Sequence, residues 1–168
     1  MKENAPRAAI HGRSAAESGL EDLDHRSSLF VGLTAENLAR HVASYARTSA
    51  TPSNVGSLLA EARRTFVGGS TSYDNFASSA FKALQATELA LRELVGAAGT
   101  KSTLGVLLQQ PTTAAALGPE RLAWFQEFAL HFRNKLAHPD ESIAFTPGMA
   151  EPVVRSAHDV VAGMFPDE

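Results

Sequence analysis

The sequence predicts an all-α protein, and three features of the chain support this fold class. Alanine is abundant and runs of β-branched residues are scarce, a composition that favours helices. Apolar residues recur at steps of three and four along several segments, which is the spacing of a helix with one buried face. No segment alternates polar and apolar residues as a half-buried strand does. We therefore predict an up-and-down bundle of four core helices, with two further helices on its N-terminal side.

The N-terminal part of the chain divides into two regions by pattern. Residues 1–30 mix charged, small and polar residues without a period, and we expect a flexible tail. Residues 31–70 show two amphipathic segments, which predict a helical pair packed on the bundle. Thr34 is the expected N-cap of the first, and Gly68-Gly69 should end the second. Arg63 and Arg64 on the second helix could face a phosphate or lie on a solvated face.

Residues 71–168 should form the main bundle. We predict its longest helix from about residue 73 to 95, a short helix at 103–110, a loop at 111–118, and two further helices at 119–136 and 149–164. Pro119 suits the first position of its helix. The aromatic residues of that helix are expected in the core or at a dimer contact, in preference to base-stacking platforms: Trp124, Phe125, Phe128 and Phe132. His158 is expected on the polar face of the last helix.

Composition excludes several classes of function. The chain has 168 residues, 44% hydrophobic and 20% charged, as in an ordinary soluble globule. Its formal charge of −3 excludes a globally basic nucleic-acid binder, so any contact with RNA needs a local positive cleft. Because there is no cysteine, disulfides, thiolate zinc sites and cysteine nucleophiles are excluded. No signal peptide or membrane-spanning stretch is evident, and we expect a cytoplasmic protein without membrane contact.

One short motif suggests chemistry. Arg133 and Asn134 lie on the shoulder of the apolar face of the 119–136 helix, and His138 follows five residues after the arginine. Pro139 should end the helix near residue 137 and let the imidazole turn back toward the guanidinium. An arginine for a phosphate, an amide to orient it and a histidine that titrates near neutrality suit a phosphodiester site.

The run Arg133-Asn134-Lys135-Leu136-Ala137-His138 resembles the Arg-Asn-x-x-x-His signature of the HEPN superfamily. The likeness extends upstream: residues 81–94, with Glu88 and Arg92, are similar to the family's long early helix and its acidic position. Residues 103–108 resemble its short second element. In all, the resemblance covers roughly residues 70 to 166, and it implies a HEPN-like up-and-down helical bundle.

The resemblance also implies an activity. Many members are metal-independent endoribonucleases of toxin–antitoxin and phage-defence systems, assembled as homodimers with a composite arginine and histidine site. Carried to this sequence, the catalytic residues are Arg133, Asn134 and His138, supported by Glu88, Arg92 and Lys135. The implied partners are RNA, a second copy of the chain and, in a toxin or defence system, an antitoxin or defence protein, with no cofactor. No His-x-x-x-His or clustered carboxylate pattern predicts a metal site.

Several alternatives remain open at this point. Glu88 and Arg92 are four residues apart and could form a plain surface pair, or Glu88 could hold Arg133 or His138 from a neighbouring helix. His131 competes with His138 as a partner of the site. Some HEPN domains only bind nucleotides, RNA or protein, so a non-catalytic binding or dimerisation module is the alternative function. In toxins controlled by tyrosine modification, the tyrosine stands where this chain has Asp140, which excludes that form of control here.

Overall fold

The computed structural model describes residues 24–30, 32–97, 99–136 and 145–167, and these residues form helices joined by short turns. No strand occurs among them, which confirms the predicted all-α class. In chain order the helices are α1 His25–Ser28, α2 Ala35–Ala43, α3 Ser53–Gly68, α4 Asn75–Leu94, α5 Leu104–Leu107, α6 Pro111–Trp124, a π-helical turn Phe125–Ala129, α7 Leu130–Leu136 and α8 Pro147–Met164. The specifically HEPN-like arrangement stays a prediction.

Helix α4 is the centre of the bundle. It packs most extensively against α3 on one side and α8 on the other. Small side chains line its buried positions, which lets neighbouring helices approach closely: Ser79, Ala80, Ala83, Ala86 and Ala90. The same core includes Leu38 of α2 and Val161 of α8, so residues before and after position 70 share one hydrophobic interior.

The start of α2 follows the capping chemistry expected from the sequence. The hydroxyl of Thr34 accepts a hydrogen bond from the Asn37 amide at 3.2 Å, as predicted for the N-cap of α2. Thr146 caps α8 in the same way, through the Met149 amide at 3.2 Å. Since α8 carries many of the core contacts with α4, this cap helps to set where the bundle closes.

The predicted flexible tail is shorter than residues 1–30, because its described end docks onto the bundle. The carboxylate of Asp24 accepts hydrogen bonds from the backbone amides of Arg26 and Tyr73, each at 3.0 Å. The Ser27 hydroxyl donates to the Gly69 carbonyl at 2.9 Å, and Phe30 stacks on the Tyr73 ring. The contacts with Gly69 and Tyr73 join residues more than 40 positions apart, and most of them are polar, so apolar periodicity within residues 1–30 could not predict them. The expectation for residues 1–23 lies outside the described residues.

The predicted loop at residues 111–118 is also wrong, since most of it is helical. Helix α6 begins at Pro111, where a proline needs no hydrogen-bond donor, and buries Thr113 and Leu117. Gly118 then breaks the helical backbone with φ of 72° and ψ of 167°. The helix resumes at Pro119, the position expected from the sequence to start a helix.

A π-helical turn lies between α6 and α7. Such a turn accommodates one extra residue and rotates the following helix relative to the preceding one. Phe125 and Ala129 remain buried, whereas Phe128 is 43% exposed. The Phe128 ring contacts those of Trp124 and Phe132, at centroid distances of 5.7 Å and 4.3 Å. Of the two positions predicted for these aromatic residues, Phe125 occupies the core, whereas for the exposed Phe128 a dimer contact stays a prediction.

The last helix departs from expectation at His158. The residue was expected on the polar face of α8, but it is only 1% exposed. Its Nδ1 donates a hydrogen bond to the Ala46 carbonyl at 2.9 Å, which joins α8 to the segment after α2. Burial lowers the pKa of His158 below its usual value, although the Ala46 carbonyl opposes the shift.

We predict that Gly69→Ala destabilises the fold. A Cβ at this position would overlap the Phe76 ring, and relieving that overlap should cost about 1–3 kcal/mol. Gly56→Ala is the matched control, because it lies within α3 with no close neighbour and should stabilise the helix by about 0.5–1 kcal/mol. Urea unfolding of the three proteins measures both effects, and equal stability of Gly69→Ala and the parent would contradict the packing at α4.

We also predict that the free energy of unfolding falls on acidification because of His158. Because its pKa is lower in the folded than in the unfolded chain, the unfolded state binds more protons as the pH falls through the normal histidine range. The free energy of unfolding therefore keeps the full contribution of the neutral His158 above about pH 6.5, and this contribution declines below that pH. His158→Asn should lower stability at neutral pH and flatten this part of the curve of unfolding free energy against pH. Parallel curves for the two proteins would contradict a buried, neutral imidazole.

Candidate functional site

Arg133 projects from α7 toward α4, where it meets a buried carboxylate. Its Nη2 lies 3.4 Å from Oε2 of Glu88. The Glu88 side chain is 6% exposed and that of Arg133 is 30% exposed, so the pair runs from the interior to the surface. Of the two accounts of Glu88, this contact matches the one in which it holds the motif arginine from a neighbouring helix.

Arg92 binds the other oxygen of the same carboxylate. Its Nη2 donates to Oε1 of Glu88, and its Nε and Nη2 donate to the Ser102 carbonyl at 3.0 Å and 2.7 Å. The four-residue spacing on α4 therefore does form an ion pair, but with a buried acid and not on a solvated face. Ser102 did not figure among the sequence candidates, because a backbone acceptor before α5 has no residue-type signal.

Together these side chains border an open groove with a volume of about 340 Å³. Its lining residues come from α3, α4 and α7: Leu58, Gln85, Glu88, Leu89, Arg92 and Arg133. One carboxylate faces two guanidinium groups, so the charged side chains of the groove carry a net charge of +1. Arg133 Nε is buried and has no hydrogen-bond partner among the described residues. Because of the net charge, the groove can accept one anionic group at the exposed part of the Arg133 guanidinium, which does not include the buried Nε.

The remaining residues of the motif are distributed around the end of α7. Asn134 is exposed and Lys135 is partly buried. His131, the competing histidine, is exposed on the same helix with its ring edge against Phe132. Helix α7 is described as far as Leu136. His138 and Asp140, together with the expected helix end near residue 137, lie outside the described residues.

The described residues match neither the pattern of a metal site nor that of a membrane-spanning helix. Within residues 24–30, 32–97, 99–136 and 145–167, no three histidine or acidic side chains gather as metal ligands would. In the same ranges no helix combines the length and the apolar character needed to cross a membrane.

We predict that Glu88→Gln destabilises the protein and loosens Arg133. The substitution removes the charge that two partly buried guanidinium groups share, at a cost of about 1–3 kcal/mol in unfolding free energy. Glu36→Gln is the control, since Glu36 forms an exposed pair with Arg40 and its loss should change little. Chemical denaturation compares the two variants. A Glu88→Gln protein as stable as Glu36→Gln would show that the ion-pair cluster does not hold α4 against α7.

Comparison with known proteins does not assign the chain to a family. No protein-family model matches it. Neither the search of curated proteins nor that of solved structures finds a similar protein.

Proposed function

We propose that the protein is a metal-independent endoribonuclease of HEPN type, acting as a homodimer. The observation that supports this most is the groove in which buried Glu88 holds Arg133 beside Arg92 and leaves the pair with net positive charge. On a chain with a formal charge of −3, such a groove is the local positive cleft that contact with RNA requires.

The proposed reaction is transesterification at the RNA 2′-hydroxyl. A base takes the proton of the 2′-hydroxyl as its oxygen attacks phosphorus, and an acid returns a proton to the departing 5′-oxygen. The products are a 2′,3′-cyclic phosphate and a free 5′-hydroxyl, with no net change in protons. Arg133 would stabilise the additional negative charge on the phosphorane, because a guanidinium cannot titrate and binds two phosphate oxygens at once.

The proposed reaction requires a dimer, because it needs two proton-transfer groups and each chain supplies one, His138. Two copies related by a two-fold axis would bring both motifs to one cleft and supply a base and an acid. Within that site Asn134 would orient the phosphate or the imidazole. Glu88 and Arg92 would set the position of Arg133, and Lys135 would add positive charge at its edge.

The biological setting is part of the proposal. RNA as substrate fits a cytoplasmic location. A toxin or phage-defence role would add a neutralising or sensing partner protein, and it would not use tyrosine modification, because Asp140 occupies that position.

The same ion pair is also compatible with the alternative function, a non-catalytic binding or dimerisation module. The contact between Arg133 and Glu88 occupies part of the guanidinium, and a guanidinium held for structural reasons alone would look the same. Under this alternative the groove binds RNA or a protein without cleaving it.

We predict cleavage of single-stranded RNA in the presence of EDTA, with 2′,3′-cyclic phosphate ends. His138→Ala should reduce the rate by about 10² to 10⁴-fold, the usual contribution of a general acid or base. His131→Ala is the matched control, because it removes an exposed histidine of α7, seven residues before His138 in the sequence, and should retain activity. Cleavage that needs a divalent metal, or that survives His138→Ala, would contradict the mechanism. RNA binding without cleavage would select the alternative.

Mixing subunits tests the composite site. If both histidines act in one cleft, the activity of randomly reassociated wild-type and His138→Ala chains should fall as the square of the wild-type fraction. Independent sites within single chains would give a linear fall. His131→Ala chains mixed in the same way should leave the activity unchanged.

A further inference from the structure

Three arginines gather on the side of α3 that faces α2. Arg47 follows the end of α2, while Arg63 and Arg64 are consecutive on α3. All three line a surface concavity of about 420 Å³, whose remaining lining is made of alanine and valine side chains from α2 and α3. Arg47 and Arg63 also line a second hollow of about 140 Å³, which is bordered by Thr48, Thr51 and buried His158. The two arginines therefore stand between two neighbouring hollows.

No carboxylate in the described part of the chain forms an ion pair with these arginines. The nearest acid on α3, Glu61, forms its ion pair with Lys82 instead. Asp167, close to the turn after Arg47, accepts hydrogen bonds from the amide and hydroxyl of Ser49. Within the described ranges, the guanidinium of Arg47 donates a hydrogen bond only to the Ala43 carbonyl, at 3.3 Å. Lys82 chiefly, and Arg64 to a smaller extent, lower the pKa of the Glu61 carboxyl. The cluster thus holds three positive charges without an ion-pair partner among the described residues.

Concentrating positive charge in this way is unfavourable for the unliganded protein. Burial lowers the pKa of Arg63, and the charges of Arg47 and Arg64 lower it further. Burial lowers the pKa of His158, and the charges of Arg63 and Arg47 lower it further; the His158 Nε2 is buried without a hydrogen-bond partner among the described residues. An anion placed between the arginines would relieve the repulsion around all of these groups.

We propose that Arg47, Arg63 and Arg64 form a phosphate-binding site that is separate from the Arg133 groove. Guanidinium groups bind phosphate through paired N–H donors, and three of them match the charge of a phosphate or pyrophosphate better than that of a single carboxylate. The hydroxyl groups of Thr48 and Thr51 border the adjoining hollow and form a hydrogen bond with each other at 2.8 Å, which leaves one hydroxyl proton of the pair to donate to a further phosphate oxygen.

The position of the site on α3 separates it from the proposed nuclease centre. Leu58 lines the Arg133 groove, whereas Arg63 lies five residues later, about 140° around an ideal helix. The two sites thus use different sides of α3. Phosphate could reach the arginine cluster from a small phosphorylated compound or from an RNA backbone, and the two sources share the same recognition chemistry.

Calorimetric titration with pyrophosphate tests the site directly. We expect binding that weakens about tenfold in Arg63→Gln, the loss expected for one charge-assisted hydrogen bond. Arg40→Gln is the matched control, because Arg40 is an exposed α2 arginine that already has Glu36 as its partner, and it should bind like wild type. Thermal unfolding without ligand should show Arg63→Gln at least as stable as wild type, since it removes repulsion. A residue needed only for folding would instead lower the stability.

Further titrations identify the source of the phosphate and test this binding site independently of the proposed nuclease activity. Titration with a short RNA uses the His138→Ala background, so that the strand stays intact. Pyrophosphate binding that depends on Arg63, with RNA affinity unchanged, assigns the site to small compounds. RNA affinity that falls with Arg63→Gln assigns it to the nucleic-acid backbone. If Arg63→Gln changes the affinity for neither probe, the site does not exist. Loss of pyrophosphate binding in Arg63→Gln with normal RNA cleavage would support this site independently of the nuclease proposal.

Discussion

Much of the arrangement around α7 depends on the carboxylate of Glu88. It lies on the central helix α4, almost fully buried, with Arg92 on one oxygen and Arg133 on the other. Arg92 in turn binds the Ser102 carbonyl and so connects the end of α4 to the segment before α5. A buried carboxylate is tolerated only when it is paired, which is why two guanidinium groups converge on it. The same pairing orients Arg133 toward an open groove.

Helix α3 lies between two positive regions of a protein whose overall formal charge is −3. On one side Leu58 borders the groove of Arg133, and on the other Arg63 and Arg64 face α2. The two regions differ in how their charge is balanced. Glu88 compensates part of the first, whereas the second has no acid paired with it among the described residues. We therefore expect both regions to attract anions. Repulsion between like charges should be stronger in the second region when no anion is bound.

The π-helical turn before α7 has consequences for the motif that follows it. An extra residue in the turn rotates α7 relative to α6, which leaves Phe128 exposed while Phe125 and Ala129 stay buried. Arg133 then projects toward α4, within reach of Glu88. A regular helix from residue 119 to 136 would present its side chains to the bundle in a different rotation.

The sequence by itself determined the all-α class, the starts of several helices and the motif residues. These depend on local chemistry: apolar spacing, the hydroxyl of Thr34 as an N-cap, and the ring of Pro119. Local patterns did not predict α1 or the helix from Pro111, because the first is held by polar contacts and the second has no strong apolar period. The position of His138 remains a prediction.

Only the tertiary structure decided which charges meet. The four-residue spacing of Glu88 and Arg92 allowed an ion pair as one of two alternatives, but it did not show that Glu88 would be buried or that the Ser102 carbonyl would also accept hydrogen bonds from Arg92. His158 shows the same limit, since its burial depends on the segment after α2, more than 100 residues earlier in the chain. The clustering of Arg47 with Arg63 and Arg64 arises because α2 and α3 pack together. The burial of a side chain and the contacts between charges distant in sequence depend on how the helices pack, and so they cannot be predicted from any single segment of the sequence.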